Sequence, residues 1–347
     1  MTILSESNLL PALTNSPEAV RRFPFPFSTD QYGYSVNLVP AGQGAPGTFD
    51  AHLFDIDEHY HTEVEERDRI LAEDRARRYL TLPHMSDAQW DFLELGMTHL
   101  SDGYPEYFTL TRDCDQWRWK NRRLGIEQQF TFGDLSTLPR EPLEWMGRQM
   151  QGDFCLLDQR EGDLYLDAGL VTFPADWSLA FDLGMTFEEW HGPVPLAHPA
   201  GVFTRAKKFL LNLETDQPWQ RLNWTFTIGP RLDTSPETFP DWGRDKAGVT
   251  AENAGENVYL RVEVQVLARL PRSNGILFSI RTYLIRLDEL ATRPEWAKRL
   301  RRVLLSLPPE IIDYKGLTDT GPAVIAWLTP YENDCYETDG TRDQLIS

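Results

Sequence analysis

Hydrophobic and polar residues alternate along two long stretches in the second half of the chain. Between 258 and 266 every second residue is valine or leucine, and the residues between them include Arg261, Glu263 and Gln265. A period of two places successive side chains on opposite faces of a strand, so this stretch is the clearest predicted strand. Residues 219–228 alternate in the same way, and Asn274-Gly275 predicts a hairpin turn into a third strand over 276–284.

Two shorter apolar runs predict another hairpin earlier in the chain. Residues 154–157 and 164–173 flank a turn at 160–163. Apolar residues at helical spacing predict helices over 63–79, 86–100, 142–151 and 296–305, and helical material over 177–213. Two strands, a helical crossover and three strands follow one another. This order predicts an α+β fold with a five-stranded antiparallel sheet and helices packed on one face.

The same order of elements occurs in PAS-type sensor domains, which is an analogy of topology and establishes no function by itself. We expect three parts along the chain. Residues 1–150 form an irregular N-terminal arm and helices packed on the core, with a strand at 34–39. Residues 151–290 form a PAS-like core with a helical crossover, and residues 291–347 form a helical extension and a polar tail.

A short predicted helix ends on a histidine inside the crossover. Thr186 and Glu189 have the spacing of a capping box, so a helix should begin near Thr186 and end near His191. Pro193 and Pro195 then prevent the helix from continuing. A histidine held this rigidly suits a ligand, but a helix end at the surface also favours an imidazole through the helix dipole. The residues alone leave both interpretations open.

Composition narrows the class of protein. The 347 residues carry a formal charge of −19, which disfavours nucleic acid and anionic membrane surfaces but accommodates a cationic substrate or a basic partner. The three cysteines have no Cys-x-x-Cys spacing, so neither a disulfide framework nor an iron–sulfur site is expected. No signal peptide and no apolar stretch of about 20 residues is visible. We therefore expect a cytoplasmic protein that does not span a membrane.

Common catalytic motifs are absent, including glycine-rich phosphate loops, nucleophile elbows and His-Glu-x-x-His pairs. One histidine group lies at Asp55, Asp57, His59 and His61. On an extended segment these four side chains would share a face, as ligands of a non-heme metal enzyme would. The other interpretation is a polar loop before a charged helix.

A second group combines the crossover with the predicted sheet. It consists of His191, with His198 as a competing ligand, and of Arg221, Asn223, Trp224, Glu263, Arg269 and Arg281. A charged strand residue that faces the interior is unfavourable unless it is paired. The polar face of these strands therefore either contacts water or lines a polar site.

Several short motifs follow one another between Phe173 and Gly316. They are Phe173-Pro174-x-x-Trp177-Ser178-Leu179, Leu183-Gly184, His191-x-Pro193-Val194-Pro195, Arg221-x-Asn223-Trp224, Arg269-Leu270-Pro271-Arg272-Ser273 with the strand through Arg281-Thr282-Tyr283, and Tyr314-Lys315-Gly316. Together they resemble the heme-dependent oxidative N-demethylase family, which includes the heme subunit of bacterial dimethylamine monooxygenase. Before Asp153 the likeness is looser, around Ile56-Asp57-x-x-Tyr60.

The resemblance implies a PAS-like core that binds heme b, with His191 at the position of the family's axial histidine. Arg221 would bind a heme propionate or donate hydrogen bonds to dioxygen at the iron. Asn223, Arg269 and Arg281 would complete the heme-binding set. Arg269 and Arg281 would bind the heme propionates, since guanidinium groups suit carboxylates. Glu263 and Trp224, together with Arg221, would form the catalytic set, with Glu263 and Trp224 attracting an ammonium substrate.

The implied reaction is the oxidation of a methyl group on a small secondary amine, which converts dimethylamine into methylamine and formaldehyde with O2. The chain has no recognisable flavin, nicotinamide or iron–sulfur site, so the resemblance implies partner subunits that carry flavin and an iron–sulfur cluster. Lys298, Arg299, Arg301 and Arg302 would form a docking surface or simply a solvated helix face. A heme-based PAS-like gas or redox sensor is the alternative, although no output domain is visible.

Overall fold

The structure is a computed structural model and describes residues 3–6, 9–10, 13–33, 38–42, 53–195 and 201–332. Its helices are α1 (Pro17–Arg22), α2 (Tyr60–Arg78), α3 (Ser86–Gly103), α4 (Pro142–Gly147), α5 (Leu179–Asp182), α6 (Phe187–Trp190), α7 (Val202–Leu211), α8 (Phe239–Trp242), α9 (Ala254–Asn257), α10 (Leu287–Leu290), α11 (Pro294–Leu305), α12 (Pro309–Tyr314) and α13 (Gly321–Trp327). Within the described ranges, no helix is both long and apolar enough to cross a bilayer.

The strands are β1 (Val39–Pro40), β2 (Tyr79–Thr81), β3 (Phe108–Asp113), β4 (Gln116–Asn121), β5 (Ile126–Thr131), β6 (Asp153–Arg160), β7 (Asp163–Leu170), β8 (Trp219–Ile228), β9 (Val258–Arg269) and β10 (Ile276–Arg286). They form a seven-stranded sheet and a three-stranded sheet, whose pairs are antiparallel. The predicted α+β class is therefore confirmed.

The large sheet has the order β1-β8-β9-β10-β6-β7-β2. All five predicted strands are present and adjacent, but the predicted number is wrong because β1 and β2 extend the two edges. Each is only two or three residues long, too short to show an alternating pattern. A five-stranded PAS-like sheet is thus not confirmed. Residues 34–37 of the predicted short strand lie outside the described ranges, and Val39 belongs to β1.

Helices cover both faces of the large sheet, so the expectation of helices on one face is wrong. On the first face, Leu222, Val262 and Leu277 belong to a core that includes Val64 of α2 and Leu300 of α11. The second face carries a smaller core with α6 and α7, which contains Cys155, Leu157, Leu267, Ile276, Phe187 and Phe203. Because the first core draws on residues from all three predicted parts, the three-part division stays a prediction.

The three-stranded sheet was not predicted. Its middle strand β4 buries Trp117 and Trp119 and exposes Arg118 between them. The Trp119 ring stacks on Phe108 with the ring centroids 5.6 Å apart. This period of two spans only six residues between helical stretches, which is why the sequence pattern left it unassigned.

Candidate functional site

Helix α6 presents His191 at its C-terminal end, where the sequence predicted it. Thr186 accepts a hydrogen bond from the backbone N–H of Glu189, and the Glu189 carboxylate accepts one from the Thr186 backbone. This capping box begins the helix, and His191 leaves it with a φ of −92°. Four helical residues alone are marginal, so the cap and the contacts of the helix with the sheet determine the position of His191.

The His191 ring is oriented by a backbone carbonyl and by aromatic neighbours. Its Nδ1 lies 2.8 Å from the carbonyl oxygen of Phe187, which assigns Nδ1 as the N–H donor and Nε2 as the nitrogen with the lone pair. The ring centroid is 4.3 Å from Phe187, 4.9 Å from Phe203 and 5.1 Å from Trp190. Metal-ligating histidines typically use one ring nitrogen in this way and bind through the other.

Replacing Thr186 with alanine should lower the free energy of unfolding by about 1 kcal/mol, because the N-cap acceptor is lost. Chemical denaturation followed by circular dichroism measures this change. The matched control is Thr186→Ser, which keeps the hydroxyl and should retain most of the stability. Equal stabilities of the wild type and Thr186→Ala would show that the capping box does not position α6.

Four polar side chains lie together on the second face of the sheet; we call Arg221, Asn223, Glu263 and Gln265 the polar cluster. Strand register pairs Asn223 with Glu263 and Arg221 with Gln265. Asn223 Nδ2 donates to Glu263 Oε2 at 3.3 Å, and Gln265 Nε2 donates to the same oxygen at 2.9 Å. Arg221 Nη1 donates to Gln265 Oε1 at 3.0 Å. The cluster is therefore an internally bonded polar site.

The aromatic surroundings of His191 lie next to this cluster. The Trp190 ring centroid is 5.6 Å from that of Phe278, and Phe278 pairs in register with Leu267, two residues after Gln265 on β9. Residues two apart on a strand share a face and are separated by roughly 7 Å. The His191 end of α6 and the polar cluster therefore occupy neighbouring areas of the second face.

Lys315 joins the polar cluster from the C-terminal part of the chain. Its Nζ donates to the Trp224 carbonyl at 2.6 Å and lies 3.4 Å from Asn223 Oδ1. Burial and the nearby Arg221 guanidinium together lower the pKa of Lys315 to about 8, while the charges of Glu263 and Asp176 act in the opposite direction. Sequence reasoning quoted Lys315 only as part of a motif and gave it no role. About fifty residues separate it from β9, so only the fold brings it to the cluster.

Asp176 is an exposed carboxylate within electrostatic reach of the cluster. Its side chain is exposed, yet surrounding protein desolvates the carboxylate and raises its pKa. The charges of Lys246, Arg261 and Lys315 act in the opposite direction, and that of Glu263 raises the pKa further. Asp176 therefore adds a negative charge close to Lys315 and Glu263.

Trp224 lies on the opposite face of the sheet from Glu263. Its neighbour in register is Val262, and its ring contacts Phe27 with the centroids 5.0 Å apart. Glu263 and the Trp224 ring therefore do not share a pocket. The Trp224 indole instead contacts Lys315, whose Nζ is 4.6 Å from the ring centroid.

Arg281 and Arg269 both bind protein groups. Arg281 donates to Glu63 at 2.9 Å and to Asp57 at 2.6 Å, on the first face of the sheet. Arg269 donates to the carbonyls of Leu210 and Leu213 at the end of α7, and also to Gln159 and to the Asn274 carbonyl. Their assignment to heme propionates stays a prediction that these contacts do not support. His198 lies outside the described residues.

The four residues of the expected non-heme site do not converge. Asp55 accepts hydrogen bonds from the hydroxyls of Tyr104 and Tyr283, whereas Asp57 accepts from Arg281 and Gln151. His59 Nε2 contacts Asn15, and His61 is exposed on α2. In the described part of the chain, one group brings three candidate metal ligands within 4.8 Å of one another: His84, Asp158 and Asp167. There the Arg160 guanidinium already bridges the two carboxylates.

The basic residues of α11 are largely paired within the chain. Arg299 and Arg302 bind Asp30, and Arg301 and Arg302 bind Glu332. These pairs reduce the positive charge that a partner would meet. The docking surface proposed from sequence therefore stays a prediction.

One protein family matches most of the chain. The family described as "Haem-dependent oxidative N-demethylase, alpha subunit-like" matches residues 47–325, which include the whole of the large sheet from β2 onward, His191, the polar cluster and Lys315. Its description indicates a heme-dependent oxidative demethylase with more than one subunit. The chain belongs to the heme-dependent oxidative N-demethylase, alpha subunit-like family.

Proposed function

We propose that this chain is the heme-binding subunit of a monooxygenase that removes a methyl group from a small secondary amine such as dimethylamine. Family membership supports the class of reaction. The observation that carries the assignment of the site is His191, whose Nδ1 is held by the Phe187 carbonyl beside the polar cluster. A PAS-like heme-binding core is part of the same proposal.

The residues on the second face fit heme by their chemistry. His191 supplies an oriented imidazole among aromatic rings, which suits a planar apolar macrocycle and an axial bond. Arg221 supplies positive charge for a propionate. Arg269 and Arg281 are left out of this set, because the observed protein contacts already engage their guanidinium groups.

When bound, heme supplies the activation of O2 and the oxidation of the methyl C–H bond. One O2, two electrons and two protons convert the N-methyl group into an N-hydroxymethyl group and one water. The C–N bond of this carbinolamine then breaks to give formaldehyde and the demethylated amine. Partner subunits that carry flavin and an iron–sulfur cluster would supply the electrons.

The polar cluster would bind the amine and move protons. Glu263 is held by Asn223, Gln265 and Arg261, so its carboxylate has a fixed position from which it attracts an ammonium group. Lys315 Nζ would hold the proton that the reaction consumes, because its pKa of about 8 lets it donate near neutral pH.

We expect demethylation to decrease as the pH rises through about 8, because Lys315 then loses its proton. A lysine whose pKa is lowered by burial is charged below that pKa and neutral above it. Arginine in place of Lys315 keeps the positive charge but is too weak an acid to release its proton at any accessible pH. The rate of Lys315→Arg should therefore be lower than that of the wild type and should no longer decrease near pH 8. Identical alkaline limbs in the rate profiles of wild type and Lys315→Arg would exclude Lys315 as the donor.

The visible spectrum of the purified protein tests heme binding directly. A Soret band that corresponds to one heme per chain, and that shifts on addition of dimethylammonium, supports the proposal. A colourless protein that binds iron through the His59 region would overturn it.

A further inference from the structure

A cavity of about 400 Å³ opens at the edge of β10. β6 pairs with β10 only from Ile276 to Ile280, so none of the described strands pairs with the remaining part of β10 on that side. Thr282, Tyr283 and Leu284 line the cavity there, together with residues from α1, from the loop before α2, from the loop between α3 and β3 and from the turn between β4 and β5. Among the described lining residues are none of the polar cluster and none of the rings around His191. The cavity is therefore separate from the proposed heme site.

The cavity has an excess of negative charge. Its lining contains five carboxylates, from Glu18, Asp57, Glu58, Glu63 and Glu106, and two guanidinium groups, from Arg22 and Arg123. Arg22 is itself bound to Asp55 at 3.0 Å. This lining repels anions and attracts a cation.

One buried guanidinium balances two buried carboxylates at the base of this cavity. Arg281 binds Glu63 at 2.9 Å and Asp57 at 2.6 Å, and the exposed fraction of the two acidic side chains is 5% and 15%. Burial raises the pKa of Glu63 to about 7, with Asp57 acting in the same direction and Arg281 against it. A second positive charge would balance the remaining carboxylate.

Tyrosine rings form much of the rest of the wall, from Tyr104, Tyr107 and Tyr283. Two of these rings already contact cations of the protein: Arg123 lies 5.0 Å from the Tyr107 centroid, and Arg281 lies 4.4 Å from that of Tyr283. Aromatic faces beside carboxylates are the usual surroundings of organic ammonium groups in proteins.

We infer that this cavity binds a small organic cation of the alkylammonium class. An apolar ligand would displace solvent from the lining carboxylates without supplying a positive charge or a hydrogen-bond donor in its place. A metal ion is disfavoured, since no described residues here bring three ligands within 4.8 Å of one another. The inference does not depend on heme or on demethylation.

Isothermal titration calorimetry with tetramethylammonium chloride tests this inference at constant ionic strength. Both the heme-containing protein and His191→Ala should show saturable binding of at least one equivalent that the cavity variants below weaken, because the cavity is separate from His191 and from the polar cluster. Neopentyl alcohol, a neutral molecule of similar shape, and zwitterionic glycine betaine should bind at least about tenfold more weakly.

Two variants locate the binding site. Glu63→Gln should weaken binding by roughly tenfold or more, and Glu106→Gln at the exposed rim should weaken it by about threefold. Glu65→Gln is the matched control, since Glu65 is exposed on α2 and does not line the cavity. Glu106→Gln decides the outcome if Glu63→Gln does not fold. The inference is overturned by the absence of saturable heat, by equally strong binding of the alcohol or the betaine, or by unchanged affinity in the lining variants.

Discussion

His191→Ala should purify with about tenfold less heme per chain than the wild type, or with none. The substitution removes the imidazole that the Phe187 carbonyl orients at 2.8 Å and leaves the propionate contacts alone to hold the cofactor. The ratio of Soret absorbance to absorbance at 280 nm, corrected for lost protein, measures this change. Circular dichroism of the same sample shows whether the fold persists.

The control for this experiment is His61→Ala, which removes an exposed imidazole from α2. Its heme content should equal that of the wild type. If His191→Ala retains heme with an unchanged spectrum, the axial ligand is another residue. If His61→Ala loses the metal instead, the cofactor site lies in the N-terminal part of the chain.

Arg67→Met should destabilise the protein by at least about 3 kcal/mol, because it leaves several buried acceptors without donors. The Arg67 side chain is completely buried. Its guanidinium donates to the carbonyls of Gly147 and Met150, both at 2.6 Å, and to that of Gly152. It also lies 3.4 Å from the carboxylate of Asp153. Arg67 thus connects α2 to the end of α4 and to the start of β6.

Urea denaturation of wild type and Arg67→Met measures this loss as a lower transition midpoint. Arg69→Met is the matched control, since Arg69 lies on the partly exposed side of α2 and pairs with Glu66 and Glu73. It should change the stability by less than about 1 kcal/mol. Equal effects of the two substitutions would show that the Arg67 contacts contribute little.

The long elements of the fold were predictable because their patterns are long. β8, β9 and β10 have 10, 12 and 11 residues, enough for the period of two to be clear. The capping box likewise marked the start of α6, and Pro193 and Pro195 marked its end. Edge strand β2 and the three-stranded sheet were not predicted, and the strand expected at 34–39 coincides with β1 only at Val39. These segments are short and depend on pairing with distant partners.

The candidate site was predictable only in part, because a strand pattern gives the faces of one strand and not the register between strands. Alternation correctly separated Arg221 and Asn223 from Trp224 within β8. Only the pairing of Asn223 with Glu263 shows that Glu263 and Trp224 lie on opposite faces. Arg281 could not be assigned from sequence, since its partners Asp57 and Glu63 come from the distant start of α2.

The most direct test of the proposed function is a single turnover with the full chain. The heme-containing protein is reduced with dithionite, freed of excess reductant and mixed with dimethylamine and O2. We predict formaldehyde and methylamine in equal amounts, up to about half an equivalent per heme, because one-electron reduction of each heme supplies half of the two electrons needed. Heme oxidation with no formaldehyde above that of a sample without amine would contradict the account and favour a heme-based sensor.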